Sequence, residues 1–129
     1  MSAPRYRMDH LHYRSPRPEE AAAWWKTMFG AEEKARLTTP AGTLRIILGL
    51  AGQDIFVEEV AEGAGSPPPA PHRGLEHIGL AVDDIEAAAA DITAKGGQLA
   101  RPVTSPRPGV RICFVAGPDG TLVELIERR

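Results

Sequence analysis

The stretch "LEHIGLAVDDIEAAAADITAKGG", residues 75–97, and a looser copy of it, "MDHLHYRSPRPEEAAAWWKTMFG", residues 8–30, decide how this chain folds. Laid over each other at a shift of 67 residues, they place Asp9-His10-Leu11 on Glu76-His77-Ile78, Glu19 on Glu86, and Gly30 on Gly97. A second match follows at a shift of 66, where Arg45-Ile46 meets Arg111-Ile112 and Ile55-Phe56-Val57-Glu58 meets Thr121-Leu122-Val123-Glu124. Self-similarity of this kind marks two related modules. The single residue of difference falls between helix and sheet, where loops absorb length changes cheaply.

Each module reads as strand, helix, then three strands. In the first, residues 11–15 are extended, Pro16 and Pro18 end the strand, Glu19 and Glu20 suit a helix's first turn, and Ala21, Trp25, Met28 and Phe29 form an apolar stripe closed by Gly30. In the second, Asp83 and Glu86 have capping-box spacing, Ile85, Ala88, Ala89 and Ile92 make the stripe, and Gly96-Gly97 stops the helix. β-rich runs follow at 35–39, 44–50 and 54–60, and again at 98–104, 110–116 and 121–126. "TPAG" and "SPRPG" supply turns. The expected architecture is α+β, two tandem βαβββ modules in one domain over 1–129: module one at 8–61, a stiff proline-rich surface linker at 62–74 with His72 exposed, and module two at 75–129.

Composition narrows the function. A chain of 129 residues, 43% hydrophobic, supports one core or two intimately packed half-size modules. A net charge of -2 with five per cent aromatic residues leaves nothing to neutralise phosphates or stack on bases, so nucleic acid is not an expected partner. No apolar run has signal-peptide or membrane-spanning length, which predicts a cytoplasmic protein without membrane association. The one cysteine, Cys113 inside "RICFVA", reads as a buried thiol.

Once the modules are superposed, a histidine and a glutamate recur at equivalent places: His10 with Glu58, and His77 with Glu124. A pseudo-twofold pair would gather all four in one cleft. Two imidazoles and two carboxylates suit one divalent ion of the borderline group, Zn, Ni, Co, Mn or Fe(II). Glu59 competes with Glu58, because adjacent strand residues face opposite sides. His12 shares the strand face of His10 and stands as cavity lining, a supporting partner or an acid/base group. Arg14 lies on the same face and can reach a substrate anion. Arg45 and Arg111, at equivalent positions, read as structural; Trp25 joins the core while Trp24 is available to a second copy.

"LEHIGLAVDDIEAA", the Gly-Gly helix stop and the closing "FVAGPDGTLVELIER" resemble the vicinal oxygen chelate superfamily, which includes glyoxalase I, methylmalonyl-CoA epimerase, extradiol dioxygenases and bleomycin-resistance proteins. The resemblance implies a glyoxalase-like fold whose sheets curl around a central cleft and a metal, with the ligand positions on His10, Glu58, His77 and Glu124. It also implies a homodimer. Arg14, Ser15 and "FVEEV" depart from the usual first-half pattern.

The reaction expected of such a site is proton abstraction beside a metal-chelated carbonyl of a small molecule, by a glyoxalase- or epimerase-type lyase or isomerase. Glu58 or Glu124 is the candidate base and "PDG" before the last strand sits closest to glyoxalase I. If Glu58 points away, the remaining two histidines and one carboxylate form the facial triad of Fe(II) extradiol-type dioxygenases. The third alternative is a non-catalytic, antibiotic-binding protein.

Overall fold

A computed structural model of the protein describes residues 2–129. It divides into two compact units, residues 1–64 and 65–129, so the boundary falls inside the expected linker. Each unit is an open four-stranded mixed sheet carrying one helix.

The first unit runs β1 (His10–Ser15), α1 (Pro18–Phe29), β2 (Glu32–Thr38), β3 (Leu44–Leu50) and β4 (Gln53–Glu59), in sheet order β1-β4-β3-β2. β1 lies parallel to β4 and the other pairs are antiparallel. Pro18 sits in the first helical turn, where its missing N–H costs nothing, and Gly30 ends the helix at φ 73°, its N–H returning to the Lys26 carbonyl. Ala21, Ala22, Trp25 and Met28 bury one helix face, and Ile46, Leu48, Ile55 and Val57 bury the matching sheet face. Each fully buried Ile or Leu here contributes on the order of 2 kcal/mol of apolar transfer.

The second unit runs β5 (Ile78–Ala81), α2 (Ile85–Ala94), β6 (Gln98–Arg107), β7 (Val110–Ala116) and β8 (Leu122–Arg128), in order β5-β8-β7-β6, with β5 parallel to β8. Its core is Ile85, Ala89 and Ile92 against Cys113, Val115, Val123 and Leu125. The cap of α2 is Asp84, one residue beyond the expected capping-box residue Asp83: its carboxylate accepts from the Ala87 N–H at 3.0 Å. The buried Glu127 carboxylate accepts from the Ile85 N–H at 3.0 Å, so two orphan donors of the helix start are satisfied by separate acids. At the other end the Gly97 N–H bonds the Ile92 carbonyl and the Gly96 N–H bonds Thr93, with Gly96 left-handed at φ 84°.

Three expectations are adjusted. β6 extends through Ser105 and Pro106 to Arg107, with three register shifts against β7, so the "SPRPG" turn shrinks to Pro108-Gly109. β2 starts at Glu32. Part of the proline-rich linker packs on the second unit, where Pro67 approaches Gly120 and residues Pro67 to Pro71 border a groove of about 490 Å³ with Arg101, Phe114 and Leu122. His72 is therefore half-buried rather than exposed. No helix among the described residues is long and apolar enough to cross a membrane.

Candidate functional site

Strand alternation sends Tyr13 of β1 to the helix side, where its ring meets Trp25 edge-on, and leaves His10, His12 and Arg14 on the opposite face. That face is shared by Phe56 and Glu58 of β4 and by Arg45 of β3, which pairs directly with Glu58. The Glu58 carboxylate, 7% exposed, is the hub. Arg45 places Nη2 2.6 Å and Nε 2.8 Å from Oε1. Arg14 donates to Oε2 at 2.9 Å and the Thr43 hydroxyl at 3.2 Å, while His12 Nε2 stands 3.3 Å from Oε1. The Arg45 hydrogen bond, reinforced by Arg14, holds this carboxyl at about 2 in spite of its burial. Burial and the Arg14 charge push the His12 imidazole below its ordinary value.

His10 stands apart from Glu58. β1 and β4 pair His10 with Asp54, His12 with Phe56 and Arg14 with Glu58. The His10 ring stacks on Phe56, with centroids 4.0 Å apart and planes 4° from parallel, and Nδ1 lies 2.7 Å from the Asp9 carboxylate.

In the second unit His77 immediately precedes β5 and Glu124 lies in β8, and Gly79 pairs with Glu124. His77 Nε2 is 3.2 Å from Glu124 Oε1 and Nδ1 is 2.8 Å from Glu76 Oε1. Phe114, the cross-strand partner of Glu124, meets the His77 ring edge-on at 5.2 Å, and the Arg101 guanidinium lies over Phe114. Among the described residues no lysine or arginine stands at ion-pair distance from Glu124.

The two units thus match in one respect and differ in another. The contact that His77 makes with Glu124 is made to Glu58 by His12, whereas the acid that precedes His77 is matched by Asp9 before His10. The properties joined in His77 are divided between two histidines in the first unit. Arg45 and Arg111, equated by sequence, take different roles: Arg45 faces Glu58, while Arg111 pairs with Glu127 and reaches Glu86. Sequence reasoning passed over Asp9, Glu76 and Thr43; the acid-histidine doublets "DH" and "EH" at matched repeat positions were the available signal for the first two.

The donor chemistry can be tested against a divalent ion. Nitrogen and oxygen ligands about 2.1 Å from a common ion lie roughly 3.0–3.4 Å from each other at angles of about 90–110°. The His77 and Glu124 atoms meet that spacing, with no competing lysine or arginine among the described residues, and so fit two ligands of one ion. Glu58 meets the spacing to His12, but both its oxygens already carry guanidinium hydrogen bonds. Among the described residues no group of three or more His, Cys, Asp and Glu side chains is close enough to hold a metal ion.

Comparison with known proteins agrees with the fold. A Probable lactoylglutathione lyase from Vibrio parahaemolyticus is 41% identical over 54 residues, 41% of this chain and 39% of that protein. A variant of the genomically encoded fosfomycin resistance protein FosX from Listeria monocytogenes, complexed with Mn(II) and 1S,2S-dihydroxypropylphosphonic acid, superposes with a TM-score of 0.72 at 20% identity over 92% of this chain and 89% of its own. A glyoxalase I mutant from Zea mays superposes with a TM-score of 0.77 at 25% identity, over 95% of this chain and 44% of that one. The matched regions span less than half of the Vibrio protein and of the maize chain. Residues 7–125 match the model of the Glyoxalase/Bleomycin resistance protein/Dioxygenase superfamily, and the chain belongs to that superfamily.

Proposed function

We propose that the chain is a divalent-metal-dependent enzyme of the glyoxalase type, a lyase or isomerase that moves the proton beside a carbonyl of a small molecule with two neighbouring oxygens. The observation that carries this reading is the His77–Glu124 pair, an imidazole nitrogen and a carboxylate oxygen 3.2 Å apart with no arginine or lysine among the described residues competing for the acid. In the second unit His77 and Glu124 are the proposed ligands, and in the first unit His10 is. Glu58, placed with the ligands by the sequence repeat, serves in this reading to hold Arg14 and Arg45 on the site face, where Arg14 is available to a substrate anion. A divalent ion supplies Lewis-acid stabilisation of the charge that develops on a chelated oxygen, worth several kcal/mol. Of the two carboxylates named as bases, Glu124 is free of guanidinium contacts, whereas Glu58, held near 2, is a poor proton acceptor at neutral pH.

The test is elemental analysis after chelator-free purification, with turnover of the hemithioacetal of a 2-oxoaldehyde and glutathione, the chemistry suggested by the lactoylglutathione lyase relative. Stoichiometric metal and thioester formation in the parent, both lost in folded His77→Ala and Glu124→Ala, are expected. A metal-free parent, or undiminished metal in both variants, would sink the reading. The engagement of Glu58 by arginines favours one second reading, an Fe(II) extradiol-type dioxygenase that keeps His77 and Glu124 as ligands and dispenses with Glu58, which oxygen uptake with a catechol would reveal. We also propose a homodimer, supported by the wholly exposed edge strand β2, and sedimentation at micromolar concentration checks it.

A further inference from the structure

We infer that Glu76 is the positioning residue of His77: its carboxylate takes the Nδ1 hydrogen, fixing the tautomer in which the Nε2 lone pair faces Glu124. This rests on the reading of His77 as a ligand and identifies what prepares it. Both carboxylates can only accept, so the single hydrogen of the neutral ring goes to one of them, and the shorter contact, 2.8 Å from Nδ1 to Glu76 Oε1 against 3.2 Å from Nε2 to Glu124 Oε1, favours Nδ1. Nε2 then presents its lone pair toward a second acceptor, Glu124 Oε1, 3.2 Å away. Two electron-rich atoms at that separation favour a proton or a cation between them. Carboxylates behind ligating histidines set ring orientation and basicity in this way.

Glu76 is itself held. Glu76 lines the same groove as Pro67 to Pro71, the proline run that packs on β7 and β8 near Phe114 and Leu122, and the His77 contact, to which the nearby His72 backbone adds, keeps the Glu76 carboxyl below its ordinary value. The stiff segment read from sequence as a spacer thus forms one wall of the groove in which the acid behind His77 sits. Its side chain is only 24% exposed.

The first unit repeats the device in weaker form. Asp9 lies 2.7 Å from His10 Nδ1, but its carboxylate is 88% exposed, and water competes for both partners. Glu76 should therefore matter more than Asp9.

The experiment has two arms. In metal-free protein at about pH 8.5, well above the ordinary histidine value, long-range ¹H–¹⁵N spectra of the imidazoles report the tautomer, with His77 assigned through His77→Gln. The parent should show His77 as the Nδ1–H form. Glu76→Ala should move it toward Nε2–H, and Glu76→Gln, whose amide oxygen still accepts, should restore it. In the second arm Zn(II) is titrated calorimetrically, and Glu76→Ala should weaken binding by about 10- to 100-fold, with partial recovery in Glu76→Gln and a smaller loss in Asp9→Asn. An unchanged tautomer in Glu76→Ala, or Zn(II) affinity within about twofold of the parent, would overturn the inference while leaving the metal reading intact. A parent that takes up no Zn(II) would instead defeat the metal reading, and the tautomer arm alone would then decide the role of Glu76.

Discussion

Arg45 and Glu58 face each other across β3 and β4 with Nη2 2.6 Å from Oε1, and in the second unit the residue facing Glu124 is Phe114. One cross-strand position, arginine in one unit and phenylalanine in the other, separates a carboxylate saturated by guanidinium groups from one that retains its oxygens for other partners.

That difference has a pH signature. Glu58 is held at about 2 by its Arg45 hydrogen bond, below the ordinary 4.5, so its contribution to stability is complete above pH 4.5 and is lost as pH falls toward 2. His12, also pushed down, adds a loss that begins as pH drops below 6.5. Glu58→Gln should cost about 2 kcal/mol at pH 7 and take up about one proton fewer on unfolding near pH 3. Urea titrations at pH 7 and 3 check this; equal pH dependence in parent and variant contradicts it.

Asp84, rather than Asp83, caps α2. Asp84→Ala should lower unfolding free energy by about 1 kcal/mol, and Asp83→Ala by only a few tenths. A reversed order in chemical denaturation would reinstate the capping box.

At Gly30 and Gly96 a Cβ would meet nothing within 4 Å, yet both have positive φ, 73° and 84°. Alanine at either should therefore cost about 1 kcal/mol through the backbone alone. Unchanged thermal midpoints would show that the helix ends relax.

Cys113 is fully buried in β7 and burial pushes its thiol up, Glu86 adding to the effect. A thiol reagent at pH 7 should react with the native protein at least about a hundredfold more slowly than with the urea-unfolded chain, tracking the population of the open state. Rapid native labelling would be incompatible with that burial.

The duplicated βαβββ pattern was legible because each helix carries its own stops, Pro18 and Gly30 in one, the acid pair Asp83-Asp84, read from sequence one residue early, and Gly96-Gly97 in the other, and each sheet its alternation. Register was not. Pro18 lies six positions after His12 and Ile85 eight positions after His77, so the length difference lies in the strand-to-helix link as well as after the helix. A slip of two residues keeps every side chain on its own face, and the apolar pattern that exposes a slip of one is blind to it. His10 and His12 are therefore equivalent to any argument from periodicity.

Local sequence by itself determined the elements, their order, the face each histidine occupies and the acid directly preceding His10 and His77, because those follow from neighbours along the chain. Tertiary pairing alone decided that His12 and not His10 meets Glu58, and that Arg45 binds this acid while Phe114 leaves Glu124 open. The unbroken antiparallel register of β7 on β8 places Arg111 opposite Glu127 and Phe114 opposite Glu124, an offset set by strand against strand rather than by residues adjacent in the chain.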